Sequence, residues 1–168
     1  VPDGRRNVIV VGTFSKSFAM MGWRVGYMLA DAAVCLQAIK VQDAMIICAP
    51  TISQLAAEAA VREDWDYAKT FHPDLLERRR RLSEGLSRCD GVSWVPTRGG
   101  FFAFARVEGC TDSNSLALRL LDEAHLVTIP GSSFGQCGEG CLRLSYGSVE
   151  ADALNEAVDR LTWFCSGI

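Results

Sequence analysis

Residues 13–27 of this 168-residue chain read TFSKSFAMMGWRVGY, and this is the most informative stretch of the sequence. A single lysine, Lys16, follows two hydroxyl residues, Thr13 and Ser15, and precedes Arg24. The run VIVVG at residues 8–12 comes directly before it and is typical of a strand buried inside a sheet. An amine can hold an aldehyde, while hydroxyls and a guanidinium can hold a phosphate. The stretch therefore favours a site for a phosphorylated aldehyde cofactor.

The overall composition excludes several classes of partner. The chain is 49% hydrophobic and 22% charged, with a formal net charge of −3, which is typical of a globular protein. A weakly acidic chain creates no long-range field that would attract nucleic acid or an anionic membrane surface. No apolar run approaches the roughly 20 residues that a bilayer-spanning helix needs. We therefore expect neither a nucleic-acid partner nor a membrane partner.

The seven cysteines are scattered along the chain without paired spacing. An odd, irregular set is more typical of reduced thiols in the cytoplasm than of a disulfide framework. Cys137 and Cys141 form a C-x3-C pair, but no second pair follows, and neither histidine lies at ligand spacing from them. Since structural zinc takes four ligands at recognisable spacing, we predict no metal site.

The pattern of the first 65 residues predicts two strands and two helices. Strands are expected at 8–12 and 24–30, followed by a helix that Asp31 caps. An Ala-rich helix then opens with the capping-box pattern of Thr51 and Gln54. A strand buried on both faces belongs inside a parallel sheet, and too few strands lie here to build one. We therefore expect the chain to be the C-terminal part of a longer protein.

The remaining residues predict a longer helix followed by a small mixed region. The helix is expected from Asp74, with the four arginines 78–81 on a solvated face offset by Glu77 and Glu84 rather than in a nucleic-acid-binding patch. Periodicity then predicts, in chain order, strands at 92–95 and 101–107, a helix at 112–124, strands at 126–129 and 141–146, and a final helix carrying Leu154, Val158 and Leu161 on one face.

Residues 13–27 resemble the lysine signature of the class I/II (fold type I) pyridoxal-phosphate aminotransferases. The continuation GWRVGY at 22–27 is most similar to the bacterial aspartate/aromatic-type subgroup. Further motifs follow in the family's order: Pro50-Thr51 with Gln54, GGFF at 99–102, PGSSFG at 130–135 and LRLS at 142–145. The chain departs from the family at Thr13, where Ser or Gly is usual, but threonine keeps the hydroxyl.

The resemblance implies an α/β fold, specifically the C-terminal part of the pyridoxal-phosphate-dependent transferase fold. Residues 1–68 would end the large cofactor-binding domain, and residues 69–168 would form the small α+β domain. The implied cofactor is pyridoxal 5′-phosphate. The implied reaction transfers an α-amino group from an amino acid to a 2-oxo acid, in an enzyme that is usually a homodimer.

The resemblance also implies a role for each candidate site residue. Lys16 would hold the cofactor aldehyde as a Schiff base and move the substrate proton, rather than being an ordinary surface lysine. Arg24 would grip the cofactor phosphate, a bidentate task suited to guanidinium. Thr13 corresponds to a phosphate ligand, and Ser15 is a second candidate. Arg143 alternates with apolar neighbours and would bind the substrate α-carboxylate, the competing interpretation being a surface salt bridge.

Other residues of the motif are expected to serve packing. Gly22 and Gly26 would permit close backbone approach, and Trp23 and Tyr27 would pack. In the family, the acid that pairs with the pyridinium nitrogen, the ring-stacking aromatic and the Asn and Tyr that contact the cofactor's O3′ all precede the lysine. None of them lies in this chain, so we expect these 168 residues alone to be inactive.

Three alternatives stay open at this point. A carbon–sulfur β-lyase or a cyclopropane-carboxylate synthase on the same fold would share the lysine and arginine positions. The aminotransferase-like sensor domain of a transcription regulator would share them too, with a winged helix-turn-helix far upstream. A non-catalytic product of a broken gene is the third.

Overall fold

The computed structural model describes residues 7–63 and 67–167, and the chain divides into two compact units between Phe71 and His72. Both units mix helices with strands, so the expected α/β class is confirmed. The assignment of residues 1–68 to a large domain and of 69–168 to a small one stays a prediction.

The first unit holds a two-stranded antiparallel sheet and two helices. Its elements are β1 (Val10–Thr13), a 3₁₀ turn (Met21–Trp23), β2 (Gly26–Leu29), α1 (Ala32–Ile46) and α2 (Thr51–Arg62). The ladder pairs Val10 with Leu29 at one end and Thr13 with Gly26 at the other. Four side chains form the small buried core: Phe14, Met20, Val25 and Ala57.

The first strand is exposed in the part of the chain that the structure describes. Among the described residues β1 pairs only with β2, and antiparallel, so its apolar side chains find no second sheet neighbour. Val11 is 77% exposed as a result. The described residues therefore hold too few strands to bury β1 on both faces, as the sequence predicted.

The ends of the first two helices are set by different contacts. Asp31 caps α1 as predicted, since its Oδ1 accepts a 3.0 Å hydrogen bond from the Ala33 N–H. The capping box predicted for α2 is wrong, because the N-cap residue is Pro50, which makes no side-chain cap. The Gln54 side chain instead donates to the Ala49 carbonyl at 2.7 Å.

The long helix α3 (Tyr67–Leu86) begins earlier than the predicted start at Asp74, and Pro73 lies inside it. Proline removes one backbone hydrogen bond from a helix, which made Asp74 look like a starting point. The Thr70 hydroxyl donates to the Tyr67 carbonyl at 2.7 Å in the helix's first turn.

The second unit is a four-stranded antiparallel sheet with helices. After α3 come β3 (Val92–Trp94), β4 (Phe102–Val107), α4 (Ser113–Ala124), β5 (Ile129–Pro130), β6 (Cys141–Ser145) and α5 (Ala151–Cys165), and the strand order is β3-β4-β6-β5. The core lies between the sheet and the helices, where Leu120, Leu142 and Tyr146 are at most 1% exposed. Leu154, Val158 and Leu161 of α5 join it, as their spacing predicted.

The arginine run of α3 is paired as the sequence indicated. Arg80 donates to both Glu77 and Glu84 at 2.7–2.8 Å, and Arg81 donates to Glu77 at 2.8 Å. Among the contacts that were not predicted, Arg78 donates to the Gly147 carbonyl at 3.2 Å and Arg79 to the Thr97 carbonyl at 2.8 Å. These two arginines therefore also tie α3 to the loops of the second unit.

Residues 7–63 and 67–167 contain neither a membrane-spanning helix nor a metal-binding cluster. No helix there is long and apolar enough to cross a membrane. No group of three or more His, Cys, Asp or Glu side chains in these ranges is placed to hold a metal ion.

Candidate active site

The turn that carries Lys16 is anchored by the residue two positions before it. Phe14 is 8% exposed, and its backbone N–H donates to the Val25 carbonyl at 3.4 Å. Its carbonyl accepts from the N–H groups of Phe18 and Met20 at 3.2 and 3.4 Å. With Phe14 buried, Lys16 lies on the exposed side of the turn, immediately after β1.

The two predicted hydroxyl residues are joined to each other. Thr13 Oγ1 donates to Ser15 Oγ at 3.0 Å and accepts the Ser15 backbone N–H at 3.1 Å. This small turn holds both hydroxyls at the end of β1, beside the lysine. Hydroxyl groups and backbone N–H groups at the end of a strand are suitable donors for an anion.

Arg24 lies at the same end of the β1–β2 ladder. The last ladder pair joins Thr13 to Gly26, two residues after Arg24. The Arg24 backbone is left-handed, with φ +52°, and its Nη1 donates to the Met21 carbonyl at 2.7 Å. The structure therefore brings Thr13, Ser15, Lys16 and Arg24 to one end of a short hairpin.

The glycines of the motif differ in what they do. A Cβ at Gly26 would lie 2.7 Å from the Gly12 carbonyl oxygen, so the predicted close backbone approach is confirmed there. At Gly22 a Cβ would meet nothing within 4 Å, so that prediction is wrong. Tyr27 packs edge-on against Phe14, with ring centroids 5.7 Å apart, as expected of a packing residue.

A cleft of about 520 Å³ in the first unit does not include the lysine. Its lining is mostly apolar and comes from the 3₁₀ turn, α2 and the start of α3: Phe18, Ala19, Met20, Trp23, Ala56, Ala59, Ala60, Glu63 and Tyr67. None of the four candidate cofactor residues lines this cleft. It is therefore not the predicted cofactor site.

Arg143 belongs to the second unit and lies on the sheet face opposite the core. On β4, Ala103 and Ala105 are 0% and 1% exposed, so the alternating Phe102 and Phe104 lie on the other face. The β4–β6 ladder pairs Phe104 with Arg143, and paired residues share a face. The predicted alternation of Arg143 with its neighbours in β6 is thus confirmed: Leu142 lies in the core, and the half-buried Leu144 packs against it.

The surroundings of the Arg143 guanidinium are aromatic rather than acidic. Its Cζ lies 4.6 Å from the ring centroid of Phe102 and 5.3 Å from that of Phe134. Its Nε is buried without a hydrogen-bond partner, and no described carboxylate forms an ion pair with it. The competing interpretation of a surface salt bridge therefore finds no support in the described residues. The sequence did not predict that these two rings lie against Arg143. The register of β4 and β6 brings Phe102 there, and the fold of residues 131–134 brings Phe134.

Comparison with known proteins decides the family. Residues 3–161 match the family model described as aminotransferase class I and II. The chain belongs to this family. Its members depend on pyridoxal 5′-phosphate, so the resemblance read from the lysine motif is confirmed.

Relatives with curated names cover nearly the whole chain. The aspartate aminotransferase of Pyrococcus horikoshii is 32% identical over 158 residues, which are 92% of this chain and 40% of the relative. The aromatic-amino-acid aminotransferase 2 of Thermococcus litoralis is 33% identical, over 91% of this chain and 40% of the relative. The chain thus spans about two fifths of the length of these relatives, which fits the expected C-terminal portion of the fold.

The same fold is found among solved structures. The aromatic aminotransferase from Pyrococcus horikoshii OT3 superposes with a TM-score of 0.89 at 32% identity. The match covers 98% of this chain and 45% of that structure. Both sequence and fold therefore support the same family.

Proposed function

We propose that these residues supply one part of the active site of a pyridoxal-phosphate-dependent aminotransferase. The enzyme transfers an α-amino group from an amino acid to a 2-oxo acid. The observation that carries the proposal is the exposed turn at the end of β1, where an amine, two hydroxyls and a guanidinium lie at one end of the hairpin. The class I and II family match supports the same reaction.

The donor chemistry of this turn fits the cofactor. A phosphate needs several hydrogen-bond donors, and Thr13 and Ser15 carry hydroxyls that already share one hydrogen bond. Arg24 adds a guanidinium whose Nη1 is held by the Met21 carbonyl. We assign these three residues to the phosphate and Lys16 to the aldehyde.

Two side chains of this chain, Lys16 and Arg143, would act directly on the substrate. When bound, pyridoxal phosphate supplies the electron sink that makes the substrate's α-proton removable. Lys16 would be released as a free amine when the substrate's amino group takes its place on the aldehyde, and its amine would then accept that proton and return it. Arg143 holds the substrate carboxylate, for which its guanidinium has no competing acid in the described residues.

Reductive labelling tests the anchor. The chain contains only three lysines, Lys16, Lys40 and Lys69, so each serves as a control for the others. The protein would be incubated with substoichiometric pyridoxal phosphate, reduced with borohydride and mapped by peptide mass spectrometry. We expect the pyridoxyl group on Lys16. Equal labelling of the three lysines would contradict the assignment.

A second assay separates the reaction types in the complete enzyme. Turnover with 2-oxoglutarate as amino acceptor identifies an aminotransferase, whereas turnover of cystathionine without an oxo acid identifies the carbon–sulfur β-lyase alternative.

A substitution of the lysine tests its role in the same assay. The variant Lys16→Arg keeps a positive charge at the position but cannot form the Schiff base with the cofactor aldehyde. It is expected to lose turnover by several orders of magnitude.

We further propose that the enzyme is a cytoplasmic homodimer with residues 1–68 in its large domain and 69–168 in its small domain. The family resemblance supports the dimer and the domain division. The irregular set of cysteines supports the location. Sedimentation of the complete enzyme tests the dimer, since a monomer at micromolar concentration would contradict it.

A further inference from the structure

We propose that Phe102 and Phe134 are positioning residues of the carboxylate site: their rings hold the Arg143 guanidinium in place before a substrate arrives. This inference rests on the proposed function, because that function gives Arg143 a carboxylate to bind. It goes further in assigning a role to two aromatic residues that neither carry charge nor take part in proton transfer.

The first support is distance. A guanidinium within about 6 Å of a ring centroid is attracted by the ring's electron density. Arg143 meets this condition twice, at 4.6 Å from Phe102 and at 5.3 Å from Phe134. Among the described residues no carboxylate or carbonyl hydrogen-bonds the Arg143 guanidinium, so these rings are its specific contacts.

The second support is the burial of Nε. An arginine carries five N–H donors, and in Arg143 the one on Nε is closed off without a partner. Burying an unpaired donor costs free energy, so this side-chain position must be held by other contacts. It also leaves the terminal amino groups as the donors for a ligand. The rings therefore fix which edge of the guanidinium a carboxylate can meet.

The third support is that the rings come from separate elements and that one of them packs against a further ring. Phe102 lies on β4, whereas Phe134 lies in the 3₁₀ turn Gly131–Phe134. Phe134 packs edge-on against Phe104, with centroids 5.8 Å apart and planes at 87°. An arginine otherwise loses considerable side-chain entropy when a ligand orders it. Prior contact with the two rings lowers that cost, which is the general advantage of preorganisation.

Steady-state kinetics of the complete enzyme tests the proposal. Phe102→Leu and Phe134→Leu are each expected to raise KM for the amino acid by about 2- to 5-fold, the size of one cation–π contact, with kcat unchanged. Phe102→Tyr keeps an aromatic ring at this position, so its KM should equal that of the unmodified enzyme. Trp163→Leu removes another exposed ring, 63% exposed on α5, and should change neither constant.

Arg143→Gln separates this inference from the function on which it rests. If it raises KM by about 10- to 100-fold while both leucine variants leave KM unchanged, the inference is wrong and the carboxylate role stands. If Arg143→Gln itself leaves KM unchanged, the carboxylate role is wrong and the inference falls with it. A rise in KM for all three variants supports both.

Nuclear magnetic resonance of the complete enzyme gives a readout that needs no turnover. The Arg143 Nε–H signal, assigned by its loss in Arg143→Lys, should be shifted by ring currents and protected from exchange with water. Phe102→Leu and Phe134→Leu should each reduce that shift in a folded chain, whereas Trp163→Leu should not. An Nε–H signal that none of these variants moves would overturn the proposal.

Discussion

Gly85 of α3 lies directly against Val158 of α5, so closely that a Cβ added at Gly85 would stand 2.5 Å from Val158 Cγ1. Val158 is 4% exposed and belongs to the core of the second unit, so it has little room to turn away. The glycine is thus required by the packing of two helices and not by its backbone conformation.

Gly85→Ala is therefore expected to destabilise the protein despite alanine's higher helix propensity. Overpacking of a filled core costs about 1–3 kcal/mol, more than the roughly 1 kcal/mol that alanine gains over glycine in a helix. Urea unfolding measures the difference. Gly99→Ala is the control, because a Cβ there meets nothing within 4 Å. The double variant Gly85→Ala/Val158→Ala should recover part of the loss, and no recovery would contradict the packing explanation.

The ion pairs of Glu77 are expected to make the stability of the protein depend on pH. Hydrogen bonds from Arg80, and then from Arg81, lower the pKa of its carboxyl from 4.5 to about 2. A pKa lowered by folding stabilises the protein above the unfolded value and loses that effect as pH falls. We expect the melting temperature to decline between pH 4.5 and about 2, with a shallower decline in Glu77→Gln. The effect should be modest and weaker at high salt, since the side chains are partly exposed. Identical pH profiles for the two proteins would contradict the assignment.

The cysteines predict a ranking of thiol reactivity. Cys48 and Cys137 are exposed, whereas Cys89 and Cys141 are buried. Burial, with a contribution from the neighbouring Cys89, raises the pKa of Cys165 to about 12. Since the thiolate is the reactive form, an aromatic disulfide reagent at pH 8 should modify two thiols quickly and the others slowly. Replacing Cys48 and Cys137 with serine should abolish the fast phase; a fast phase that survives would show the ranking to be wrong.

If the Thr13 hydroxyl binds the phosphate, two conservative substitutions at this position should differ in their affinity for pyridoxal phosphate. Thr13→Val keeps the branched shape but removes the hydroxyl that bonds Ser15, whereas Thr13→Ser keeps the hydroxyl. Losing one hydrogen bond of about 1–1.5 kcal/mol should weaken binding of pyridoxal phosphate to the complete enzyme by about 10-fold in Thr13→Val alone. Absorbance titration with the cofactor measures this. Equal affinities in the two variants would remove Thr13 from the phosphate site.

The lysine motif could be interpreted from the sequence because its information is local. Thr13, Ser15 and Lys16 are close along the chain, and Arg24 is brought to them by a hairpin that two short apolar runs predict. The Asp31 cap was predictable for the same reason, because its partner Ala33 is two residues away. By contrast, the start of α3 was placed too late, since a proline inside a helix looks locally like a boundary.

The environment of Arg143 could not be predicted from the sequence, because it depends on contacts between distant parts of the chain. The alternation of β6 predicts on which face of the sheet Arg143 lies. Its neighbours, however, come from β4 and from residues 131–134, which are distant in sequence. The approach of Gly85 to Val158 is of the same kind. The family, the order of the elements and the turn that carries Lys16 could be predicted from the sequence, because these depend on residues near one another in the chain. Strand register and helix packing decided which side chains meet, because such contacts depend on the whole fold.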